Sequence, residues 1–237
     1  AGVLDDVDIA VGLHVRPIQD IPFGTLCPGV KHSSTTFVKV VLNGRSAHAS
    51  RPHLGVNTIE AAAAIINNVA SIKMNPNVSW SCKPTIINGG GSASNIIPAT
   101  TSIIFDIRSQ CNEVMGTLLE RFRKVVKSVA EAFEAETEIF FPCSVVPAAI
   151  LDEELTTEVA ESIKKVVGSE KLMPVLNNTG GEDFHYFAYK YPALKAAYFG
   201  VGVGAEPGLH TPDMHFNLDG LQNGVDVLVD VTLKKLG

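Results

Sequence analysis

Cysteine is scarce and unpatterned in this chain. Cys27, Cys82, Cys111 and Cys143 lie far apart and form no Cys-x-x-Cys. That excludes a disulfide scaffold and a zinc knuckle, and it predicts free thiols in a reducing, cytoplasmic compartment. No uninterrupted apolar run approaches the ~18 residues a membrane span needs, so no membrane partner is expected. Basic residues are outnumbered, 19 Lys and Arg against 25 Asp and Glu, for a net charge of -6. With no basic stripe to neutralise phosphates, broad nucleic-acid binding is excluded. Internal repeats, low-complexity tracts and a visible signal peptide are also missing. The chain opens on Ala1 instead of Met, which reads as a piece cut from something longer.

What is present is an ordinary globular composition, 46% hydrophobic and 19% charged over 237 residues, enough for one large or two small domains. Val7–Val15 is an apolar, β-branched run predicted to be a buried strand with His14 at its C-terminal end; a Pro- and Gly-rich loop follows. From residue 33 to 146 the pattern is self-contained. Thr36–Leu42 alternates, with Val38, Val40 and Leu42 on one face. Thr58–Met74 reads as a helix with Ile59, Ala62, Ala63, Ile66 and Val69 inward. Trp80–Asn88 is a strand, and Thr101–Arg108 alternates with Ile103, Phe105 and Ile107 inward. Asn112–Ala135 is a long amphipathic helix, and Glu138–Val146 closes as a strand. The order βαββαβ predicts a ferredoxin-like sheet with two helices on one face. Beyond it, a helix at Glu153–Val167, a helix starting near Thr179, an apolar strand at Leu194–Val203 and a last helix at Leu218–Leu236 suggest an α/β layer. The fold class is therefore α/β plus α+β. Residues 1–31 and 147–237 form a partial α/β domain, interrupted by the 33–146 insertion. That layer is too small to close alone, which predicts exposed apolar surface.

Gly44–Asn57 is the most chemically loaded stretch. It joins a strand to a helix, carries His48 and His53, and surrounds His48 with small residues; polar, His-bearing connections on regular scaffolds are common seats of function. The same loop could simply cap the next helix through Asn57. His14 and His210 each follow a Leu at the end of a strand in the two flanking segments. If those segments share a sheet, the imidazoles converge at its carboxyl edge, where ligands of open α/β sheets bind. Two neutral imidazoles suit a borderline cation such as zinc. Glu182 and Asp183 are acidic candidates nearby, though they also complement the N-terminal end of their helix. His32, His185 and His215 have no comparable setting and read as ordinary surface or core residues. His53 reads as support for the His48 loop.

Six pieces in order give the chain a family likeness: Val11-Gly-Leu-His14-Val; Gly44-Arg-Ser-Ala-His48-Ala-Ser-Arg-Pro-His53-Leu-Gly-Val-Asn57; Gly89-Gly-Gly-Ser-Ala-Ser-Asn95-Ile-Ile-Pro98; Asp106-Ile-Arg108-Ser; Gly180-Gly-Glu-Asp-Phe184; and Leu209-His210-Thr-Pro. Together they resemble the metallo-amidohydrolases that include aminoacylases, hippurate hydrolases and auxin-conjugate hydrolases. The resemblance implies a metallopeptidase-like catalytic domain interrupted by a lid that pairs two subunits into a homodimer. It implies His14 and His210 as metal ligands, with a divalent cation: zinc first, then manganese, cobalt or nickel. It implies that His48 reaches an active site, often the partner subunit's, and polarises the scissile carbonyl. Asn95 and Arg108 match residues that hold the carboxylate of an N-acyl amino acid or small peptide substrate, and Glu182 and Asp183 would stand behind the site. The departure is at the N-terminus, where family members carry a Cys-Gly-His-Asp-type motif and a Glu-Glu pair that this chain lacks. The expectation is a C-terminal portion, inactive alone; the competing one is a non-catalytic dimerisation or binding module with a degenerate site.

Overall fold

The computed structural model describes residues 2–237. In chain order the strands and helices are β1 (Ile9–Pro17), β2 (Leu26–Cys27), β3 (Val30–His32), β4 (Ser34–Asn43), β5 (Ala47–His48), α1 (Thr58–Val69), β6 (Trp80–Gly89), β7 (Ile96–Ile97), β8 (Thr100–Ser109), α2 (Asn112–Ala132) and β9 (Glu136–Phe140). They continue as α3 (Glu153–Val167), β10 (Leu176–Asn178), α4 (Tyr186–Lys190), β11 (Lys195–Ala205) and α5 (Asp219–Leu236). The chain folds as two compact units, one of residues 1–32, 149–178 and 182–237, the other of 33–148 with Thr179–Gly181. No helix among the described residues is long and apolar enough to cross a membrane.

The second unit is an antiparallel sheet in the order β6-β8-β4-β9. Alternation sets its faces: Val38, Val40 and Leu42 of β4 and Ile103, Phe105 and Ile107 of β8 are all fully buried against α1 and α2. Pro84 is tolerated because β6 is an edge strand with a register shift at Pro84–Ile86. Helix α1 corrects two sequence expectations. Its buried face is Thr58, Ala61, Ala62, Ile65 and Val69, while Ile59 is 43% exposed. The run Ala61–Ile66 is apolar on every side, so its periodicity does not select a face. The helix also stops at Val69 instead of running to Met74, since Asn68 and Ser71 spend side-chain bonds on the last turn. β9 is shorter than expected, and Val146 forms only an isolated bridge to Thr35.

Phe105 and Phe122 meet edge to face in this core, centroids 5.0 Å apart. Phe122→Ala leaves a cavity under a sheet that cannot collapse onto it, at a cost of about 3–5 kcal/mol. Trp80, the single tryptophan, packs against the same core. Its fluorescence during urea unfolding therefore reads this unit, and the midpoint should fall sharply in the variant.

In the first unit β11 is the central strand of a sheet ordered β1-β11-β2, parallel to β1 and antiparallel to β2. It is covered on both faces, as a parallel strand should be. Ala197, Phe199, Val201 and Val203 pack with Leu155, Val159 and Ile163 of α3 and Val227 and Val231 of α5. Tyr198 faces Ile21, Cys27 and Val30 instead. Gly202 lets the chain at Pro22–Thr25 lie directly on the strand: Gly24 N–H donates to Gly202 O and Gly202 N–H to Thr25 O, both at 2.9 Å, and a Cβ would collide with Pro22 O. β1 is the open edge of this sheet. Beside it α5 exposes Val225, Val229 and Leu233 at four-residue spacing, each at least 50% exposed. A cavity of about 520 Å³ runs along that edge, lined by Ile9, Val11, Leu228 and Leu236 among others.

Candidate functional site

His14 lies inside β1, opposite Gly200 of β11, and not at the strand's end as expected; the strand starts two residues later than predicted and continues to Pro17. Its Nδ1 is 2.6 Å from Val15 O. A carbonyl can only accept, so Nδ1 carries a proton, and in the neutral ring Nε2 then keeps its lone pair. That is the state a metal-ligating imidazole takes when its other nitrogen is tied to a backbone carbonyl. His210 sits exposed in the loop after β11, in left-handed backbone geometry (φ 66°). The loop's ends are pinned by paired backbone bonds between Glu206 and His215, and Gln19, just past β1, donates to Pro207 O at 2.9 Å. Among the described residues no three or more His, Cys, Asp or Glu side chains come together as a shell for a metal ion. His14 is thus suited to a metal as one donor, while a complete shell is not assembled from this chain's described residues.

Glu182 begins the 3-10 turn Asp183–His185 and accepts from Phe184 N–H at 3.2 Å and from Tyr198 OH at 2.5 Å. Burial pushes its carboxyl up, but the bonds from Tyr198, Phe184 and Asp183 outweigh burial and hold it below the usual carboxylate range. Asp183 is pushed up by the hydrogen bond it shares with Glu182. Tyr198 is pushed well above its ordinary range by burial and by that carboxylate.

Beneath these carboxylates lies a pair that sequence reasoning passed over as unremarkable. His32 and His185 are 4% and 0% exposed and are hydrogen-bonded through His32 Nδ1 and His185 Nε2 at 3.0 Å. Both rings stand edge-on to Tyr198. Burial lowers each imidazole to about 4, reinforced at His32 by His185, Arg16 and His14. His185 Nδ1 is buried with no partner. No local signal announces a contact between residues 153 positions apart. It arises because β3 pairs in parallel with β10, setting His32 opposite Asn178 shortly before the turn that carries His185.

The second unit holds the other predicted residues. His48 and Asn95 are exposed and adjacent, with Nε2 and Nδ2 3.4 Å apart. They are joined by the short β5–β7 pairing, Ala47 to Ile97 and His48 to Ile96. Arg108 is already committed. Nε and Nη2 donate bidentately to Asp106 at 2.8 and 2.9 Å, and Nη1 donates to Thr179 O at 2.8 Å. The Asp106 bond raises the guanidinium further above its ordinary value. Of its five N–H groups, two remain to meet a ligand.

This mixed α/β fold recurs in solved enzymes. A dinuclear metal-binding peptidase of the M20 family from Bacillus subtilis superposes with TM-score 0.78 at 20% identity, covering 99% of this chain and 59% of that one. Residues 30–134 match the family model of the peptidase dimerisation domain. Among curated proteins, an uncharacterised hydrolase of Sinorhizobium fredii is 33% identical over 89% of this chain and 52% of its own length. The N-acetyldiaminopimelate deacetylase of Bacillus subtilis is 30% identical over 94% of this chain and 58% of its own. Residues 30–134 carry the M20-type peptidase dimerisation domain, and the chain has homologues among deacetylases and other hydrolases. It spans a little over half the length of the curated relatives it matches.

Proposed function

We propose that this chain is the C-terminal portion of a metal-dependent amidohydrolase that cleaves the amide bond of N-acyl amino acids or small peptides. The observation that carries the reading is His14, whose Nδ1 proton is tied to Val15 O, leaving Nε2 free for a cation. His14 and His210 are its ligands from this chain, and a bound divalent metal, zinc first, would activate water and polarise the carbonyl. His48 donates to the carbonyl oxygen as charge develops there. Asn95 and the two unspent N–H groups of Arg108 take the substrate carboxylate, with Asp106 holding the guanidinium flat. Glu182 and Asp183, braced by Tyr198, support the site from behind. The remaining ligands and the general base come from sequence outside this chain. The open β1 edge and the bare apolar stripe of α5 are consistent with an incomplete layer. Residues 33–146 form the lid and pair two copies into a homodimer.

One observation favours a second reading, a non-catalytic dimerisation or binding module: residues 30–134 match the peptidase dimerisation domain by themselves. Metal analysis separates the two. In the amidohydrolase reading, a protein completed with a relative's missing half hydrolyses N-acyl amino acids and loses that activity with chelator. His14→Ala or His210→Ala then lowers metal content at least about tenfold, the usual cost of damaging a site. Chelator-insensitive turnover sinks the metal-dependent reading, and a dimer without metal or turnover supports the module.

A further inference from the structure

His48 ends β5, and the chain reverses at once: Arg51 N–H donates to His48 O at 2.8 Å. The turn carries Ser50 back over the imidazole. Its backbone N–H is 3.1 Å from His48 Nδ1 and its Oγ 2.7 Å from the same atom. A backbone N–H can only donate, so Nδ1 is the acceptor. A neutral ring with Nδ1 accepting must carry its proton on Nε2. Opposite Nε2 stands the Asn95 side-chain amide, with Nδ2 placed 3.4 Å away. Oxygen and nitrogen of a side-chain amide are assigned from the hydrogen-bond network, and a ring N–H at Nε2 requires this amide to be turned over so that its oxygen accepts. The Asn95 backbone is fixed in turn, its carbonyl accepting from Ala49 N–H at 2.8 Å.

We infer that Ser50 is a positioning residue that locks His48 as the Nε2–H tautomer, so that the ring presents a hydrogen-bond donor and not a lone pair. Asn95 is the internal acceptor of that N–H, and a carbonyl oxygen of an amide substrate replaces it. The opposite tautomer would turn the ring into a base or a metal ligand, so the lock decides which chemistry His48 can perform. The link to substrate rests on the reading of His48 given above; the tautomer is measurable without it.

The test is long-range proton–nitrogen correlation NMR on the ¹⁵N-labelled 237-residue chain at neutral to mildly alkaline pH. His48 is assigned by the peaks lost in His48→Gln. The expected pattern is a pyridine-like Nδ1 and a pyrrole-like Nε2. Ser50→Ala keeps the backbone N–H and keeps that pattern; Ser50→Pro lacks it and mixes the two tautomers. A wild-type ring that is mixed or protonated on Nδ1 overturns the inference without any variant, as does an unchanged pattern in Ser50→Pro. In a completed enzyme, Ser50→Pro lowers kcat about tenfold, the scale of one hydrogen bond, with little change in KM. It adds no further loss in a His48→Gln background. Full turnover by His48→Gln alongside the expected spectrum removes the catalytic reading of His48 and leaves the lock standing.

Discussion

Lowering the pH from 7 to 5 should destabilise the first unit by several kcal/mol, and His32 and His185 should account for most of the loss. Each imidazole is held near 4 in the fold against 6.5 in the unfolded chain. Above 6.5 both states are neutral and the pair has no pH dependence. Below it the unfolded chain takes up protons first, so stability falls as pH falls. The slope is roughly 1.4 kcal/mol per pH unit for each ring until the folded value near 4 is reached. By pH 5 that amounts to about 2 kcal/mol per ring. The two rings share a hydrogen bond, so the loss belongs to the pair. The surroundings set the direction: burial dominates, His185 and the Arg16 charge oppose protonation of His32, and Glu182 favours it. Carboxylates held low, such as Glu182, lose their contribution only as pH falls below the ordinary carboxylate value of 4.5, which lies under the interval from 6.5 to 5. Melting temperatures across that interval should drop steeply in the native chain. His185→Leu, which removes the buried ring with the unpartnered Nδ1, should flatten the curve. Parallel curves for the two proteins would show that the pair does not govern acid sensitivity.

The same pair marks where sequence reading stops. Strands β4 and β8 were legible because a period of two needs only local sequence, and their buried sets came out as Val38, Val40, Leu42 and Ile103, Phe105, Ile107. Helices α3 and α5 were equally plain, with Asp152 capping the first through Leu155 N–H. The face of α1 was not, since consecutive alanines and isoleucines offer no polar side to exclude. His14 was singled out by its place near a strand end, although the strand's true limits depend on its pairing with β11. His32 with His185 and Ser50 with His48 escaped for different reasons. The first is a long-range meeting created by β3–β10 pairing. The second is a local turn whose consequence, a fixed tautomer, depends on a side chain folding back on its own backbone. Arg108 looked like an uncommitted carboxylate fork, and only geometry reveals that Asp106, two residues earlier on the same face of β8, already occupies most of it.

His48→Ala in a completed enzyme should lower kcat by about 10²–10³ while leaving KM within a few-fold, the signature of a donor that acts mainly in the transition state. The ring is exposed on β5, held through Nδ1 by Ser50 and through the β5–β7 pairing, so its removal takes away a donor without opening the core. Thermal stability should therefore stay close to that of the parent, within about 0.5 kcal/mol. His48→Gln tests the role more sharply, because an amide N–H can stand in for an imidazole N–H and should recover part of the lost rate. Asn95→Ala should behave differently. In the proposed reading it frees the Nε2–H from its internal acceptor and also removes the proposed contact to a substrate carboxylate, so KM should rise more than kcat falls. If His48→Ala instead raises KM at constant kcat, the ring serves ground-state binding and the carbonyl-polarising role fails. If turnover is lost together with tens of degrees of melting temperature, the residue is structural, and the β5–β7 hairpin, not the imidazole donor, is what the enzyme needs.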